Sequence, residues 1–313
     1  MTSKETLAGI VGIENVSDSL EVLEDFSKDE SLAQEIRPLC VVRPTKMEEI
    51  QDIVKWANAS RTPLVPVSSG PPHFRGAAIP SVGGAVIVDL CRMNRIIRVD
   101  RRNRVAMIEP AVTFSKLISA LEDVDLAPFL PLAPRQTKSV VGSLLEREVT
   151  TMPKYVWDIQ DPLRCVEVVF GTGDLFRTGS ATGPGTIEEQ WEVGRAQVRP
   201  MGPSYTDFAK IIQGSQGSMG IVTWATVGCR PLPKLKETYL VGTENLEHLL
   251  DGAYKLMWKK LGQDLLILNN RNLATLMGED RHEIEALQKE LPSWILISSI
   301  EGYGVMPEER LAF

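Results

Sequence analysis

The chain is poor in the residues that build simple thiol and metal sites. Its 313 residues include four cysteines, Cys40, Cys91, Cys165 and Cys229, each more than fifty positions from the next. No CxxC redox pair or zinc spacing can be drawn from them. Three histidines, His73, His248 and His282, form neither HExxH nor a close pair, which argues against a histidine-rich metal site. Aromatic residues amount to 6%, and 34 Lys plus Arg against 41 Asp plus Glu leave a net charge of -7. With no basic block interleaved with aromatics, a nucleic-acid surface is disfavoured. No apolar run reaches the ~18 residues a membrane helix needs. The opening residues lack the charged-then-apolar layout of a signal peptide, so a cytoplasmic protein with no membrane partner is expected. GxGxxG, GxxxxGK[ST] and GxSxG are all missing, which sets aside Rossmann, P-loop and nucleophile-elbow sites.

What is present is ordinary globular material, 43% hydrophobic and 24% charged, in a length that suits about two domains. Apolar β-branched runs alternate with helical periods, the pattern of a mixed α/β or α+β fold. Thr45 and Glu48 read as a capping box, and Ile50, Ile53, Val54 and Ala57 recur at helical spacing behind it. A short strand over 63–67 runs into 68–80, too rich in Gly and Pro to be regular. Strand-like runs at 85–90, 96–99 and 105–109 predict an antiparallel meander. A helix is expected over 113–121, one or two helical turns over 139–146, and a hairpin from 165–170 and 175–178 around a glycine turn. A further strand covers 221–227. Beyond Pro233 the pattern reads strand, helix, strand, helix, strand through 238–241, 248–261, 265–268, 282–291 and 294–300, with a domain boundary near 235. His248 and His282 fall on charged helices and are expected at the surface, as is the isolated loop residue His73. Trp157, Trp191, Trp224, Trp258 and Trp294 form no stripe and are expected in core or interface positions.

Seven segments occur in a characteristic order. They are Cys40-Val-Val-Arg-Pro-Thr, Pro66-Val-Ser-Ser-Gly, Val88-Asp-Leu-Cys-Arg-Met-Asn-Arg-Ile, Ile108-Glu-Pro-Ala-Val-Thr, Ser139-Val-Val-Gly, Glu167-Val-Val-Phe-Gly-Thr-Gly-Asp and Gly217-Ser-Met-Gly-Ile-Val-Thr. Together, over roughly residues 36 to 235, they resemble the FAD-binding domain of the vanillyl-alcohol oxidase and p-cresol methylhydroxylase family. The resemblance implies an α+β, two-subdomain FAD-binding fold over 1–235, followed by a partial α/β cap (substrate) domain over 236–313. It implies FAD as cofactor, with Pro66, Ser68, Ser69, Gly70, Pro71, Pro72 and His73 in the pyrophosphate loop. Pro110, Ser139, Val140, Gly142 and Ser143 would lie along the cofactor, and Gly220, Ile221 and Val222 would flank its adenine and ribityl side. Ser and Gly suit such a loop, because successive backbone N–H groups make an anion nest at little steric cost.

The same loop departs from the family at Pro71 and Pro72, which bring no backbone donors. Some relatives attach FAD through a loop histidine, but His73 is about one residue out of that register. The groups that bind a phenolate in the phenol-oxidising branch fall on Arg75, Pro134 and Thr151, so the phenol substrate is not carried over. Arg75 and Arg135 become the candidate catalytic residues, with Lys138 and Arg147 adding to the local positive charge. Arginine pairs bidentately with carboxylates. The expected reaction is therefore hydride transfer from a small alcohol or 2-hydroxy acid to flavin N5. The alternatives are a flavin-binding electron-transfer subunit of a larger complex, or a non-flavin scaffold of the same fold. The 78 residues after Leu235 accommodate about half of the cap that the resemblance implies. Apolar strand surface at 265–268 and 294–300 is then expected to lie uncovered, to be completed by a homo-oligomer or a partner subunit.

Overall fold

The computed structural model describes residues 2–150, 161–202 and 205–303. They form two compact units, one built from the chain up to Glu148 and from Pro162 to Arg230, the other chiefly from Pro231 onward.

The first unit begins with α1 (Ser3–Val11), β1 (Val16–Ser17), α2 (Leu20–Glu24), β2 (Cys40–Val42), α3 (Met47–Ser60), β3 (Leu64–Val67) and β4 (Val86–Asp89). These strands make a sheet in the order β1-β2-β4-β3, with β2, β4 and β3 parallel and β1 antiparallel to β2. Cys40, Val42, Val86 and Val88 share one core with Leu7, Val11, Ile50 and Ile53. Val41, Ile87 and Val67 share another with Leu23, Phe26 and Ala78. Both faces of the sheet are therefore covered, which is why β4 is an unbroken apolar run. The expected meander holds for 96–99 and 105–109, which pair antiparallel, and is corrected for 85–90. β4 pairs in parallel with β2 and β3, and the chain leaves it through a turn in which the Asp89 carboxylate accepts the Cys91 N–H. A Val-Ile-Val run does not distinguish a parallel strand buried on both faces from a meander strand.

Helix α3 buries Ile50, Ile53, Val54 and Ala57 as its spacing predicts. Its capping differs by one position, because the Thr45 N–H and hydroxyl bond to Glu49 rather than Glu48. The second sheet contains β5 (Ile96–Asp100), β6 (Val105–Ile108), β7 (Leu126–Pro128), β8 (Leu163–Phe170), β9 (Leu175–Arg177) and β10 (Gly220–Pro231), ordered β5-β6-β10-β8-β9 with β7 also on β10. Around it lie α4 (Phe114–Glu122), α5 (Val140–Leu145), α6 (Ile187–Glu192) and α7 (Ala209–Ile212). Helix α3 joins the two sheets. Its apolar face meets Val169 and Ile221, and Gln51 and Asn58 donate to the Gly173 and Gly171 carbonyls of the β8–β9 hairpin, each across 2.7 Å.

The second unit holds β11 (Leu235–Thr243), α8 (Leu246–Trp258), β12 (Asp264–Asn269), α9 (Asn270–Met277), α10 (Arg281–Glu290) and β13 (Trp294–Gly302). Its antiparallel sheet has the order β11-β13-β12, and Leu249 and Ala253 of α8 pack on Leu296. Helix α9 is not anticipated by the sequence pattern. The expected uncovered surface is also redistributed. Ile295 and Leu296 of β13 are buried, whereas Tyr239, Leu240 and Val241 of the edge strand β11 are exposed. Among the tryptophans, Trp224 is buried, Trp191 and Trp294 are half-buried, Trp258 is 79% exposed, and Trp157 lies outside the described residues. No helix among the described residues is long and apolar enough to cross a membrane.

Candidate functional site

Four segments nominated from the sequence converge in the first unit. The first is the chain leaving β3. Pro66 is tolerated there because β3 is an edge strand, where a missing N–H costs no ladder bond. The second is the Ser139 cap of α5, whose hydroxyl accepts the Gly142 N–H and donates to the Pro110 carbonyl. The third is the turn before β10. The fourth, 134–138, was only partly nominated, through Arg135.

Specific bonds hold these segments together. The Gly70 N–H donates to the Thr137 carbonyl across 3.0 Å, and the Ser139 N–H donates to the Ser69 hydroxyl across 3.1 Å. A Cβ on Gly142 would lie 3.0 Å from the Ser68 hydroxyl oxygen, and one on Gly217 would lie 2.7 Å from the Pro66 ring. Close approach thus requires glycine at 217, and at 142 a Cβ would make the Ser68 hydroxyl give way. From the third segment, Gly214 N–H and the Gln213 side-chain amide donate to the Leu145 and Leu144 carbonyls at the end of α5.

Not every nominated residue faces outward. Ser139, Val140, Ser143, Ile221 and Val222 are buried, and Val140, Ile221 and Val222 supply core packing. Pro66, Ser68, Ser69, Gly70, Gly142 and Gly220 are half-buried, while Pro71 and Pro72 are exposed and joined by a cis peptide bond.

His73 is corrected from surface to interior. It is 7% exposed, lies 5.3 Å from the Phe26 ring, and is covered by 29–33, where Glu30 N–H donates to its carbonyl and Asp29 accepts the Gly76 N–H. Its Nε2 has no hydrogen-bond partner among the described residues. Burial, and then the Arg135 charge, push its pKa down, so the ring is neutral.

The two candidate arginines both have partners. Arg75, with a left-handed backbone (φ 63), lies 3.3 Å from Glu148 and 3.7 Å from Glu146, with its side chain 73% exposed. Arg135 donates to the Pro72 carbonyl and stacks 4.6 Å over Phe74. Lys138 is buried and bonds Glu146 across 2.7 Å. The sequence reading missed Glu146, Glu148, Phe74 and Thr137. The alternating charges of Glu146-Arg147-Glu148 were the available signal for the first two. Thr151 lies outside the described residues.

The open part of this arrangement suits an anion. The backbone N–H groups of Ser68 and Ser69 have no acceptor among the described residues, and an unpaired donor that is half-buried is costly unless a ligand takes it. These two donors suit a pyrophosphate, and Gly70 and Gly142 let their segments close against Thr137 and Ser68 behind them. Pro71 and Pro72 add nothing, and the Gly70 donor is already used. Burial raises the thiol of Cys40 to about 11 and that of Cys229 to about 12, while Cys91, at an exposed position, is raised to about 11 by burial and the neighbouring Asp89. Among the described residues no group of His, Cys, Asp and Glu could hold a metal ion.

Comparison with known proteins agrees with this chemistry. Residues 38–179 match the FAD binding domain family. The glycolate oxidase subunit GlcD of Bacillus subtilis is 30% identical over 246 residues, covering 78% of this chain and 48% of that protein. The 4-cresol dehydrogenase [hydroxylating] flavoprotein subunit of Pseudomonas putida is 32% identical over 158 residues, covering 50% and 29%. A D-lactate dehydrogenase of Anaerostipes hadrus is 28% identical over 258 residues, covering 78% and 50%. The chain thus spans half or less of the length of these relatives. In fold it matches the crystal structure of p-cresol methylhydroxylase with substrate bound, with a TM-score of 0.79 and 21% identity over 99% of this chain and 62% of the other. Sequence and fold thus agree: residues 38–179 match an FAD binding domain, and the chain has the fold of p-cresol methylhydroxylase.

Proposed function

We propose that this chain is an FAD-dependent oxidoreductase, working alone, as a homo-oligomer or with a partner chain, that takes hydride from a small alcohol or 2-hydroxy acid. The observation that carries this reading is the pair of Ser68 and Ser69 N–H groups, without acceptors among the described residues, on a loop held against 137–142. FAD, when bound, supplies the hydride acceptor at its N5. The residues of the chain do the rest. Ser68 and Ser69 present N–H groups to phosphate, and Gly142 leaves room for the Ser68 side chain against α5. Arg135 keeps guanidinium donors beyond the one given to Pro72 and borders a cleft of about 270 Å³ lined by Phe114, Ile118, Ser119, Glu122 and Gln136. That placement supports Arg135 as the group that holds a substrate carboxylate. Arg75, matched by Glu146 and Glu148, is assigned to holding the loop. The 2-hydroxy acid class is supported by the names of the glycolate oxidase and D-lactate dehydrogenase relatives.

The test is a visible absorption spectrum of the purified chain, with and without added FAD, followed by anaerobic mixing with glycolate and D-lactate. Flavin bands that bleach with a hydroxy acid are expected, and Gly70→Asp should lose the flavin while keeping the fold, since it adds negative charge next to the Ser68 and Ser69 donors from a Cβ that meets Thr137 at 3.4 Å. Colourless protein that takes up no FAD would overturn the reading in favour of a scaffold. A second reading, an electron-transfer subunit, is favoured by the cresol dehydrogenase relative being a flavoprotein subunit. It predicts bound flavin that no hydroxy acid bleaches, and a partner that co-purifies.

A further inference from the structure

We propose that Lys138 is the positioning residue of this site, a buried cation whose ion pairs keep the 137–143 segment registered against the loop 68–76. The proposal rests on the FAD reading above for its purpose and on the ion pairs for its mechanism.

Lys138 is an unusual residue to find inside. Its side chain is 9% exposed, and its ammonium lies 2.7 Å from Glu146 and 3.5 Å from Glu148. A buried charge stays only when paired, so these contacts dictate where the side chain goes. Its backbone is fixed at both ends, since its N–H donates to the Arg135 carbonyl and its carbonyl accepts the Phe114 N–H. The residues on either side of it carry the two bonds that hold the loop, Thr137 to Gly70 and Ser139 to Ser69. The same two residues also anchor the far end of α5. The Glu146 N–H closes the helix on the Gly142 carbonyl, and Glu148 accepts the Ser143 hydroxyl across 2.5 Å. One ammonium therefore ties both ends of the Ser139–Ser143 segment. Arg75 reaches the same carboxylates from the loop, but its exposed guanidinium is screened by water and contributes less. Lys138 is the member whose loss leaves the two partly buried carboxylates with only the screened Arg75 charge.

Lys138→Met and Lys138→Arg, each compared with the wild-type chain, test this by residue-resolved amide hydrogen exchange without FAD and by FAD titration. Lys138→Met is expected to speed exchange at the Gly70 and Ser139 amides, and to weaken FAD binding, by about tenfold or more. The amides of β8 and β10 should not change, and Lys138→Arg should restore both readouts. Unchanged exchange at Gly70 and Ser139 in Lys138→Met would overturn the proposal. Faster exchange in a chain whose wild type takes up no FAD would overturn the cofactor reading instead. Should Lys138→Met fail to fold, Glu148→Gln removes one of the paired charges at constant shape, and the same two amides decide.

Discussion

The hydroxyl of Ser69 accepts the backbone N–H of Ser139 across 3.1 Å, and this bond fastens the loop that leaves β3 to the cap of α5. Ser69→Ala leaves that N–H without its partner in a buried cap, at a cost of about 1–2 kcal/mol. The expected outcome is a Tm lowered by several degrees together with weaker FAD binding, measured by calorimetry and flavin titration. An unchanged affinity would detach the loop from the cofactor.

Gly142 separates stability from binding. Alanine inside a helix is favoured over glycine by about 0.5–1 kcal/mol, but its Cβ would press on the Ser68 hydroxyl at 3.0 Å and on the Ser139 hydroxyl at 3.3 Å. Gly142→Ala should therefore change stability by less than about 1 kcal/mol, as propensity and crowding offset. FAD affinity should fall, since Ser68 must yield. A titration that matches wild type would show that Ser68 plays no part in binding.

Gly217→Ala has no such compensation. The position has φ +82, and its Cβ would meet the rigid Pro66 ring at 2.7 Å. Left-handed strain and overpacking together should cost about 2–4 kcal/mol, read as a drop in the denaturation midpoint with unchanged slope.

Arg61 offers the opposite effect. It ends α3 in a left-handed conformation, φ 52, with its N–H on the Ala57 and Asn58 carbonyls. Arg61→Gly keeps those bonds and removes the Cβ penalty, so a gain of about 0.5–1 kcal/mol is expected. A lower Tm would show that the arginine side chain contributes more than its backbone costs.

His73 gives the chain without FAD a pH dependence of defined sign. Its folded pKa lies below the ordinary 6.5, chiefly through burial and next through Arg135, so the unfolded chain binds the proton more readily. The stability it contributes is complete above pH 6.5 and is lost as pH falls below that value toward the folded pKa. His73→Phe, which preserves packing on Phe26, should flatten this part of the stability curve. A wild-type curve already flat there would mean that the ring can charge in place.

Local signals carried much of the architecture. The four apolar positions of α3 lie on the face that its 3.6-residue period predicts, Thr113 caps α4, and the glycine turn at 171–174 closes the β8–β9 hairpin. Each depends on neighbours close in sequence. Strand β4 shows the limit, because its three consecutive buried residues are equally compatible with parallel and antiparallel partners, and the choice rests on β2 and β3 at a distance. Helix α9 was hidden for a related reason. It is short, starts at an Asn269 cap among polar residues, and buries only Leu273 and Ala274.

For the site, the order of glycine, serine and proline motifs was enough to name FAD, and it nominated Ser68 to Gly70 and Gly142 because nests and close approaches require particular residue types. Only the tertiary structure decided what the charged and buried residues do. Arg75 and Lys138 meet Glu146 and Glu148, and His73 turns inward beside Phe26. A charge shows its partner, and a histidine its burial, only when segments dozens of residues apart are packed together. Backbone chemistry is written locally, whereas electrostatics and desolvation belong to the folded whole.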